Sequence, residues 1–597
     1  MTIYHHKYVY FFSVIIPLYV FYILVLKTLI IKWRNKMILK NIKFIATTAL
    51  YFLLFVLYPT FSSAEEVRKL TLWAREQGAA PAAHTAALLI AQTWEDLGLE
   101  VEVKAVPWPQ MADQIWYKRG GESSDEDSWD VTMWQMVSRP ERSDPDEFTV
   151  NLFHTTTAPK GYNFIGYLDP AYDAIADESR RTMDPVKRKV LIDQAQQHLA
   201  DAAVNAYLVH PLMNYAYDNT QFKDGTAIEQ AGMGIKNIWT YLNIEPIGGN
   251  KDLIAQSPDE IQAINPFFIS GGTDSWITEN IWDRMLRIGS DGIPVPWAAE
   301  SYNWVDETTI DVTLRPGMKW HDGNPVTTED VIFSFSATQD IEMIPMYARF
   351  VKNITSMEDL GGGTVRFHLD SANAAFLTST LAKLNLVPKH YYGPLLDALK
   401  GTGNNAETIL EEKRIGSGPF KFVDWRPREQ VVLTANTDHF NPPKIERWIV
   451  KEIPNVEAAL GMFRKGEINF ISYYTGDPTV LEDITAKDGD ITLRKSVDIG
   501  FQYLAFNHRR APFNDVHLRR ALSLSIDRDM MVNAAWNGNA VRAGSHVSPA
   551  LSYYHKEGIE NFETGIDLAK QILEEGGYKI KGGKLHYPDG VSEQYPN

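Results

Sequence analysis

The most obvious candidates for chemistry are polar residues in short runs between apolar segments. His321 and Asp322 have the composition of an acid–base pair or of metal ligands. The run at 321–325, His-Asp-Gly-Asn-Pro, is nevertheless typical of a turn, because Gly, Asn, Asp and Pro each favour turn conformations. Thr327 stands three residues before Asp330 and is expected to cap a helix there. We therefore predict a structural turn at His321 and no catalysis.

Other signatures of enzymes are missing or incomplete. Gly416-Ser417-Gly418 is not followed by Lys-Ser or Lys-Thr at the spacing of a phosphate-binding loop. The chain has neither a Gly-x-Ser-x-Gly elbow nor a His-Glu-x-x-His motif. It contains no cysteine, which excludes disulfides, thiolate catalysis, cysteine-ligated zinc and iron–sulfur clusters. The sequence therefore predicts no enzyme, no cofactor and no metal site.

The N-terminal part of the chain has the composition of a membrane or export segment. Residues 1–64 hold seven basic residues and no acidic one. The apolar run at 8–26 is about long enough to span a bilayer. A shorter apolar run at 44–57 follows three lysines and is followed by Ser62-Ser63-Ala64, which is typical of a secretory signal. We expect a signal peptide at 37–64, with residues 1–36 either an extension before a true start at Met37 or a membrane segment.

The body of the chain is acidic. Residues 65–597 carry 51 basic and 75 acidic side chains, a net charge of −24. This charge disfavours binding to nucleic acid and to anionic lipid surfaces, and it favours solubility. The 597 residues are enough for two or three packed domains.

The elements that would position these residues begin with a βαβ unit. Leu70–Trp73 is predicted to be a buried strand, Pro81–Leu97 a helix ended by Gly98, and Leu99–Ala105 a half-buried strand. This order within about 35 residues indicates a parallel sheet. Residues 129–134 are predicted to form the next strand, which leads into a charged loop, and residues 185–204 a helix.

Three motifs of the C-terminal half occur in a fixed order. They are Trp320–Pro325 running into Glu329-Asp330-Val331, then Gly416–Phe420, then Phe506-Asn507 with Ala511–Asp515 and Arg519-Arg520-Ala521. Together they resemble family 5 of the bacterial extracellular solute-binding proteins, which feed peptides, nickel and related solutes to ABC importers. The resemblance implies an α/β, two-lobed periplasmic-binding-protein fold of type II (large, cluster C-like, with an extra subdomain). It also implies that strands cross between the lobes near Gly416–Gly418.

The order of the segments departs from the family. Residues 65–250 resemble the C-terminal lobe of family members, whereas residues 251–597 resemble their N-terminal and middle parts. We interpret this as a circular permutation, in which the C-terminal third is placed first. The alternative is a truncated relative, in which the first segment is an additional half-module. A permuted chain requires parent termini that lie close together on the surface, which is common.

The resemblance also indicates where ligand-binding residues should lie. In peptide-binding relatives, the strand that corresponds to 129–134 ends in an aromatic residue, followed by an acidic residue that meets the ligand's ammonium. Trp134 is that aromatic residue here, and Glu141 or Asp144 is the acidic candidate. Arg139 and Arg142 are candidates to bind a carboxylate instead. The alternative is a solvated charged loop without a binding role.

Two more groups of candidates lie at expected edges of the cleft. Thr273, Asp274 and Trp276 belong to the first loop of the family-like segment, and Tyr473-Tyr474 follow a predicted strand. Aromatic walls with a few polar groups are typical of small-solute sites. Ordinary packing is the alternative for each of these residues.

The predicted function is that of a periplasmic substrate-binding component of an ABC importer. It would act as a monomer that captures an oligopeptide or similar polar solute between two lobes and delivers it to an inner-membrane permease complex. Alternatives are a membrane-tethered solute sensor, if residues 8–26 persist as an anchor, and a periplasmic hydrolase, which the missing motifs disfavour. The sequence does not distinguish an oligopeptide from an opine-like conjugate, an oligosaccharide or a metal chelate.

Overall fold

The computed structural model of the chain describes residues 64–117, 129–158, 161–269, 271–409, 413–474 and 476–591. The apolar run at 8–26 and the predicted signal up to residue 63 lie outside these residues. Within them, no helix is both long and apolar enough to cross a membrane.

The described residues form fourteen α-helices. The α-helices are α1 (Pro81–Glu95), α2 (Trp108–Met111), α3 (Asp146–Thr149), α4 (Pro170–Arg181), α5 (Pro185–Asp201), α6 (Ile238–Asn243), α7 (Gly272–Ile281), α8 (Thr328–Thr338), α9 (Lys389–Leu399), α10 (Val456–Arg464), α11 (Pro478–Lys487), α12 (Val516–Leu524), α13 (Arg528–Met530) and α14 (Ile566–Glu575).

The described strands alternate irregularly with these helices along the chain. They are β1 (Leu70–Ala74), β2 (Val101–Ala105), β3 (Val131–Met136), β4 (Asn205–Asp218), β5 (Asp252–Ser257), β6 (Leu286–Ile288), β7 (Pro294–Pro296), β8 (Ala299–Asp306), β9 (Thr309–Leu314), β10 (Ile354–Gly361), β11 (Thr364–Leu369), β12 (Phe420–Arg426), β13 (Gln430–Ala435), β14 (Arg447–Glu452), β15 (Phe470–Tyr474), β16 (Ile491–Val497), β17 (Phe501–Phe506), β18 (Ala540–Arg542), β19 (Lys579–Lys581) and β20 (Lys584–His586).

The predicted βαβ unit is confirmed. β1 pairs in parallel with β2, so that Leu70 lies opposite Val101, and also in parallel with β3. Helix α1 begins with Pro81, whose missing N–H suits the first turn, and it buries Ile90 and Trp94 at helical spacing. Gly98 adopts a positive φ of 82° just after the helix, where a side chain would be strained.

Strand β4 joins two lobes. Twelve strands form one sheet with the path β12-β13-β14-β5-β15-β4-β17-β3-β1-β2, and β16 and β18 also pair with β4. The first half of β4 pairs with β17 and β18, whereas its second half, from Leu212, pairs with β15 and β16. We call residues 64–211 and 498–591 the small lobe and residues 212–497 the large lobe.

Each lobe has cores of its own. The large-lobe core contains Trp282, Trp320 and Trp448, all nearly inaccessible to solvent. The small lobe has one apolar cluster around Trp94 and another, rich in aromatic residues, around Trp129. Because apolar burial is the main stabilising contribution to folding, each lobe has the means to hold together when the other moves.

An additional sheet extends the large lobe. β10, β11, β9 and β8 pair antiparallel in that order. Next to them, Thr327 caps α8 by accepting from the Asp330 N–H, and the Asp330 carboxylate accepts from the Thr327 N–H in return. The predicted helix cap is therefore confirmed. The predicted turn is confirmed as well, since Gly323 has a φ of 93°.

The predicted role of Gly416–Gly418 at the crossing between lobes is wrong. The Gly418 N–H donates to the Ile281 carbonyl (2.9 Å), and Ser417 Oγ donates to Asp283 Oδ2 (2.9 Å), so this turn lies inside the large lobe beneath the end of α7. The crossings are β4 itself and the link between β16 and β17. There the Asp498 N–H donates to the Pro211 carbonyl at 2.9 Å.

Candidate functional site

The charged loop after β3 lies between the two lobes. Pro140–Ser143 form a turn of 3₁₀ helix, and Arg139, Glu141, Arg142, Ser143 and Asp144 are all buried. Ser143 Oγ donates to the Gly292 carbonyl of the large lobe at 3.1 Å. The alternative of a solvated charged loop is therefore wrong, because the large lobe covers the loop.

Glu141 is the centre of an ionic network that connects the lobes. Its two carboxylate oxygens lie 3.3 Å from Lys383 Nζ and 3.4 Å from Arg284 Nη1 of the large lobe. Burial alone would raise the pKa of Glu141, but Lys383, Arg284 and Arg139 hold it well below its usual range. Glu147 adds a second contact to Lys383 at 3.0 Å. The network thus joins the loop of the small lobe to two basic residues of the large lobe.

Asp144 is neutralised within its own lobe. Arg188 donates two hydrogen bonds to its carboxylate, at 2.6 and 2.8 Å, in a buried bidentate pair. Thr378 Oγ1 of the large lobe donates to the same carboxylate at 3.3 Å. Because Asp144 is already paired, it is poorly suited to receive a ligand's ammonium.

The two arginines of the loop have different surroundings. Arg142 donates to the Val137 carbonyl, lies 3.6 Å from the Glu147 carboxylate, and stacks over the Phe148 ring at 5.1 Å. Arg139 is 7% exposed and makes no hydrogen bond or ion pair with any described residue. Burial alone would lower the pKa of Arg139, but Tyr162, Glu141, Tyr347 and Glu147 raise it above its ordinary value, whereas burial and Arg139 lower the pKa of Arg142.

Trp276 and Tyr473 meet at a buried lysine. Lys236 Nζ lies 3.8 Å from the centre of the Trp276 ring and 5.1 Å from that of Tyr473. Tyr473 accepts a hydrogen bond from Gln135 Nε2 of the small lobe at 3.2 Å. Burial lowers the pKa of Lys236 to about 8, against the opposing effect of Asp498, Asp259 and Glu279. The structure brings these two predicted aromatic residues together at the lobe interface.

The remaining predicted residues are placed differently. Trp134 lies in the small-lobe aromatic core, where its ring stacks on that of Trp116 at 5.7 Å. Thr273 and Asp274 belong to the first turn of α7 rather than to a loop, and Thr273 Oγ1 lies 2.8 Å from Ser257 Oγ. Tyr474 packs into an apolar cluster that does not include Tyr473. None of these four is brought to the network around Glu141.

Lys236, Lys383 and Arg284 were not identified by sequence reasoning. Each is a single basic residue without a motif, and its importance depends on partners far away along the chain. At the edge of the interface, residues of both lobes line an open cavity of about 260 Å³, including Asp177 and Arg180 of the small lobe and Arg349 and Asp370 of the large lobe. Among the described residues, no cluster of His, Asp or Glu is arranged to hold a metal.

Comparison with known families gives a match over half of the chain. The family described as bacterial extracellular solute-binding proteins, family 5, matches residues 294–595. The chain belongs to this family. As a family 5 solute-binding protein it has the two-lobed type II fold, and its family is defined by solute binding rather than by catalysis.

Relatives of this solute-binding protein include proteins named for oligopeptides and a heme-binding protein of Haemophilus influenzae. The chain is 29% identical over 349 residues to the oligopeptide-binding protein AppA of Bacillus subtilis, which covers 58% of this chain and 61% of the relative. It is 25% identical to the periplasmic oligopeptide-binding protein OppA of Salmonella typhimurium, over 51% of this chain and 58% of the relative. The chain thus spans less than two thirds of the length of either relative.

Solved structures include one of these relatives. The structure of AppA from Bacillus subtilis in complex with a nonapeptide is 24% identical in sequence and superimposes with a TM-score of 0.47. The match covers 57% of this chain and 66% of that one.

Proposed function

We propose that this protein is the substrate-binding component of an ABC importer. It captures an oligopeptide or similar polar solute between its lobes and delivers it to a permease complex in the inner membrane. The observation that carries the proposal is the buried meeting of charged side chains from both lobes around Glu141. Membership of the solute-binding family supports the same function.

The connections between the lobes suit opening and closing. The lobes are joined by β4 and by the link at 498–500, and each keeps its own core. A solute that contacts both lobes binds the closed form better and so shifts the population toward it. The ion pairs of Glu141 and Glu147 with Lys383 form only in that closed arrangement and add to its stability.

We place the protein in the periplasm as a monomer. The predicted signal at 37–64 supports export, and one relative carries the word periplasmic in its name. The strongly acidic body keeps the exported protein soluble and away from anionic lipid.

The first test is native mass spectrometry of the protein isolated from the periplasm of the cells that produce it. We expect the intact mass to match residues 65–597 of a monomer, plus the mass of a bound solute. Denaturation of the same sample should then release that solute for identification. Release of a peptide or another small polar compound would support the importer role.

Two outcomes would contradict the proposal in different ways. A chain that retains residues 8–26 and fractionates with the membrane would instead support a tethered sensor. An exported protein that releases no solute, and whose melting temperature no peptide, sugar or metal chelate raises, would contradict solute capture itself.

A further inference from the structure

A buried ammonium of the chain lies against two carboxylates at the interface between the lobes. It belongs to Lys383 of the large lobe, which is 1% exposed. Its Nζ lies 3.0 Å from Glu147 Oε2 and 3.3 Å from Glu141 Oε1, both of the small lobe. The centre of the Phe350 ring lies 4.4 Å from the same Nζ. Carboxylates and an aromatic face are groups that recognise an ammonium, so the chain builds an ammonium site and fills it itself.

Other cations of the chain contact the same two carboxylates. Arg284 Nη1 of the large lobe lies 3.4 Å from Glu141 Oε2. Arg142 Nε of the small lobe lies 3.6 Å from Glu147 Oε1. Burial by itself raises the pKa of Glu141, yet Lys383 and Arg284 hold it well below its usual range. An ammonium from a solute would have to displace one of these cations and leave it buried without its partner, which is costly.

The remaining acidic residues of the loop are paired as well. Arg188 donates hydrogen bonds of 2.6 and 2.8 Å to the Asp144 carboxylate. Arg180 donates hydrogen bonds of 2.7 and 2.9 Å to the Asp146 carboxylate. Each carboxylate of residues 141–147 is thus neutralised by a cation of the chain, and the loop does not select for a positively charged solute.

Lys383 differs from Arg284 in what holds its charge. Arg284 Nη1 also donates to the Ala382 carbonyl at 3.1 Å, within the large lobe. Among the described residues, the hydrogen bonds of Lys383 Nζ go to Glu141 and Glu147 alone. The ammonium of Lys383 is therefore directed entirely at carboxylates of the other lobe, where a solute's ammonium would otherwise have to lie.

We propose that Lys383 supplies, from within the chain, the ammonium that this interface recognises, so that the solute needs no free ammonium of its own. This inference rests on the proposed function, because it names the solute class of the same interface. Peptides with blocked amino termini, and other solutes without an amine, bind as well as those with one. Specificity is a difference between two affinities, and carboxylates that are already neutralised contribute none.

The test is native mass spectrometry of the isolated protein with peptide mixtures in which every sequence is present in equal amounts with a free and with an N-acetylated amino terminus. The ratio of the two bound forms measures the selectivity directly. We expect this ratio to lie within about threefold of unity for the unsubstituted protein. Any solute that the isolated protein releases is compared with its N-acetylated derivative in the same way, if it bears an amine.

Two variants assign the selectivity to Lys383. Lys383→Ala leaves room for an ammonium beside Glu141 and Glu147, and it should favour the free-amine forms by about thirtyfold or more, as a charge pair across an interface does. Lys400→Met, at an exposed position of the large lobe, should keep the unsubstituted ratio. Lys383→Met, which keeps most of the apolar stem, replaces Lys383→Ala in this comparison if the alanine variant does not fold.

A second measurement needs no peptide. Lys383→Ala should melt at a lower temperature than the unsubstituted protein, because it leaves two buried carboxylates with fewer partners. Propylammonium chloride supplies the atoms that this substitution deletes, and it should raise the melting temperature of Lys383→Ala above the value in equimolar sodium chloride. The unsubstituted protein should show no such difference between the two salts.

The outcomes separate this inference from the function on which it rests. An unsubstituted protein that selects free-amine forms by more than about tenfold would overturn the inference and leave the importer role intact. Substitution of Lys383 that leaves the ratio of bound forms unchanged, or a melting temperature of Lys383→Ala that does not respond to propylammonium, would also overturn it. If neither form of any peptide binds and the isolated protein releases no solute, the proposed function itself fails.

Discussion

At the scale of single residues, burying the charged Lys236 side chain costs free energy that its surroundings only partly offset. Its ammonium contacts the faces of Trp276 and Tyr473, and no carboxylate lies within ion-pair distance of it among the described residues. Cation–π contacts recover about 0.5–2 kcal/mol, less than full burial of a charge costs. The lowering of its pKa from 10.5 to about 8 corresponds to a net destabilisation of the charged form by an amount on the order of 3 kcal/mol.

We predict that Lys236→Met stabilises the protein at neutral pH. The folded-state pKa is lower than the unfolded one, so the unfolded chain binds more protons between pH 8 and 10.5. The unsubstituted protein therefore bears the full penalty below pH 8 and gains stability as pH rises toward 10.5. Urea unfolding should show an advantage of about 2–3 kcal/mol for Lys236→Met at pH 7 that narrows toward pH 10.5.

The exposed residue Lys465 provides the control for this measurement. Lys465→Met should change the free energy of unfolding by less than about 0.5 kcal/mol at either pH. A Lys236→Met protein that is less stable at pH 7, or whose advantage does not vary with pH, would contradict the assignment of a buried, destabilising charge.

Some residues of the interface were predictable and others were not. Trp276 and Tyr473 were candidates because the family resemblance places their segments at the edges of the cleft, and aromatic walls are typical of small-solute sites. Lys236 did not, because its partners lie 40 and 237 positions away and no local pattern connects them. Tyr474 was grouped with Tyr473, but neighbouring residues of a strand point to opposite faces, and the two side chains pack in different clusters.

At the scale of elements, local sequence patterns predicted the helices and strands that local interactions determine. The βαβ unit and helix α5 were recognised from apolar periodicity, and the structure has both. Helix α7 was missed, since Gly271-Gly272-Thr273-Asp274-Ser275 has the composition of a turn. All ten residues of α7 are buried, so tertiary packing rather than local propensity stabilises this helix.

The link between β16 and β17 gives a prediction at this scale. A Cβ at Gly500 would overlap the Met136 carbonyl oxygen of β3, a backbone atom that cannot move aside cheaply. We expect Gly500→Ala to lower the free energy of unfolding by about 2 kcal/mol or more, because overpacking forces backbone shifts. Gly489→Ala, where a Cβ would meet nothing within 4 Å, should change it little. Equal effects of the two substitutions in urea unfolding would contradict this packing.

At the scale of the whole molecule, the first and last described segments are neighbours. The Tyr587 N–H donates to the Glu65 carbonyl and the Val67 N–H to the Leu585 carbonyl, both at 2.8 Å. Both segments belong to the small lobe, although more than five hundred residues separate them in sequence. This proximity is what a circular permutation of a family member requires, and we propose that order for the domains 65–250 and 251–597. No local pattern predicts such a contact.

The permutation predicts that the segments can be exchanged. A rearranged gene would encode residues 251–597 followed by residues 65–250. Its product lacks the peptide connection after the exposed stretch 247–250 and has a new peptide connection before Glu65. We expect the product to fold with a melting temperature within a few degrees of the original and to bind the same solute.

The control for this exchange is a rearranged chain with its ends placed inside β4, between Val209 and His210. That chain should not fold, because β4 pairs with strands of both lobes. If the exchanged chain unfolds or loses its solute while the original binds, the permutation would be contradicted.

Pro211, at the junction of the lobes within β4, has a further consequence. Proline has no N–H to contribute to a sheet, so bending the strand at this residue breaks no hydrogen bond from its nitrogen. Contacts between the lobes, among them the ion pairs of Glu141 and Glu147, then add to the resistance to opening. The residence time of a solute should then depend in part on the chemistry of this interface. Substitutions there can retune the rate of release while the scaffold of strands stays unchanged.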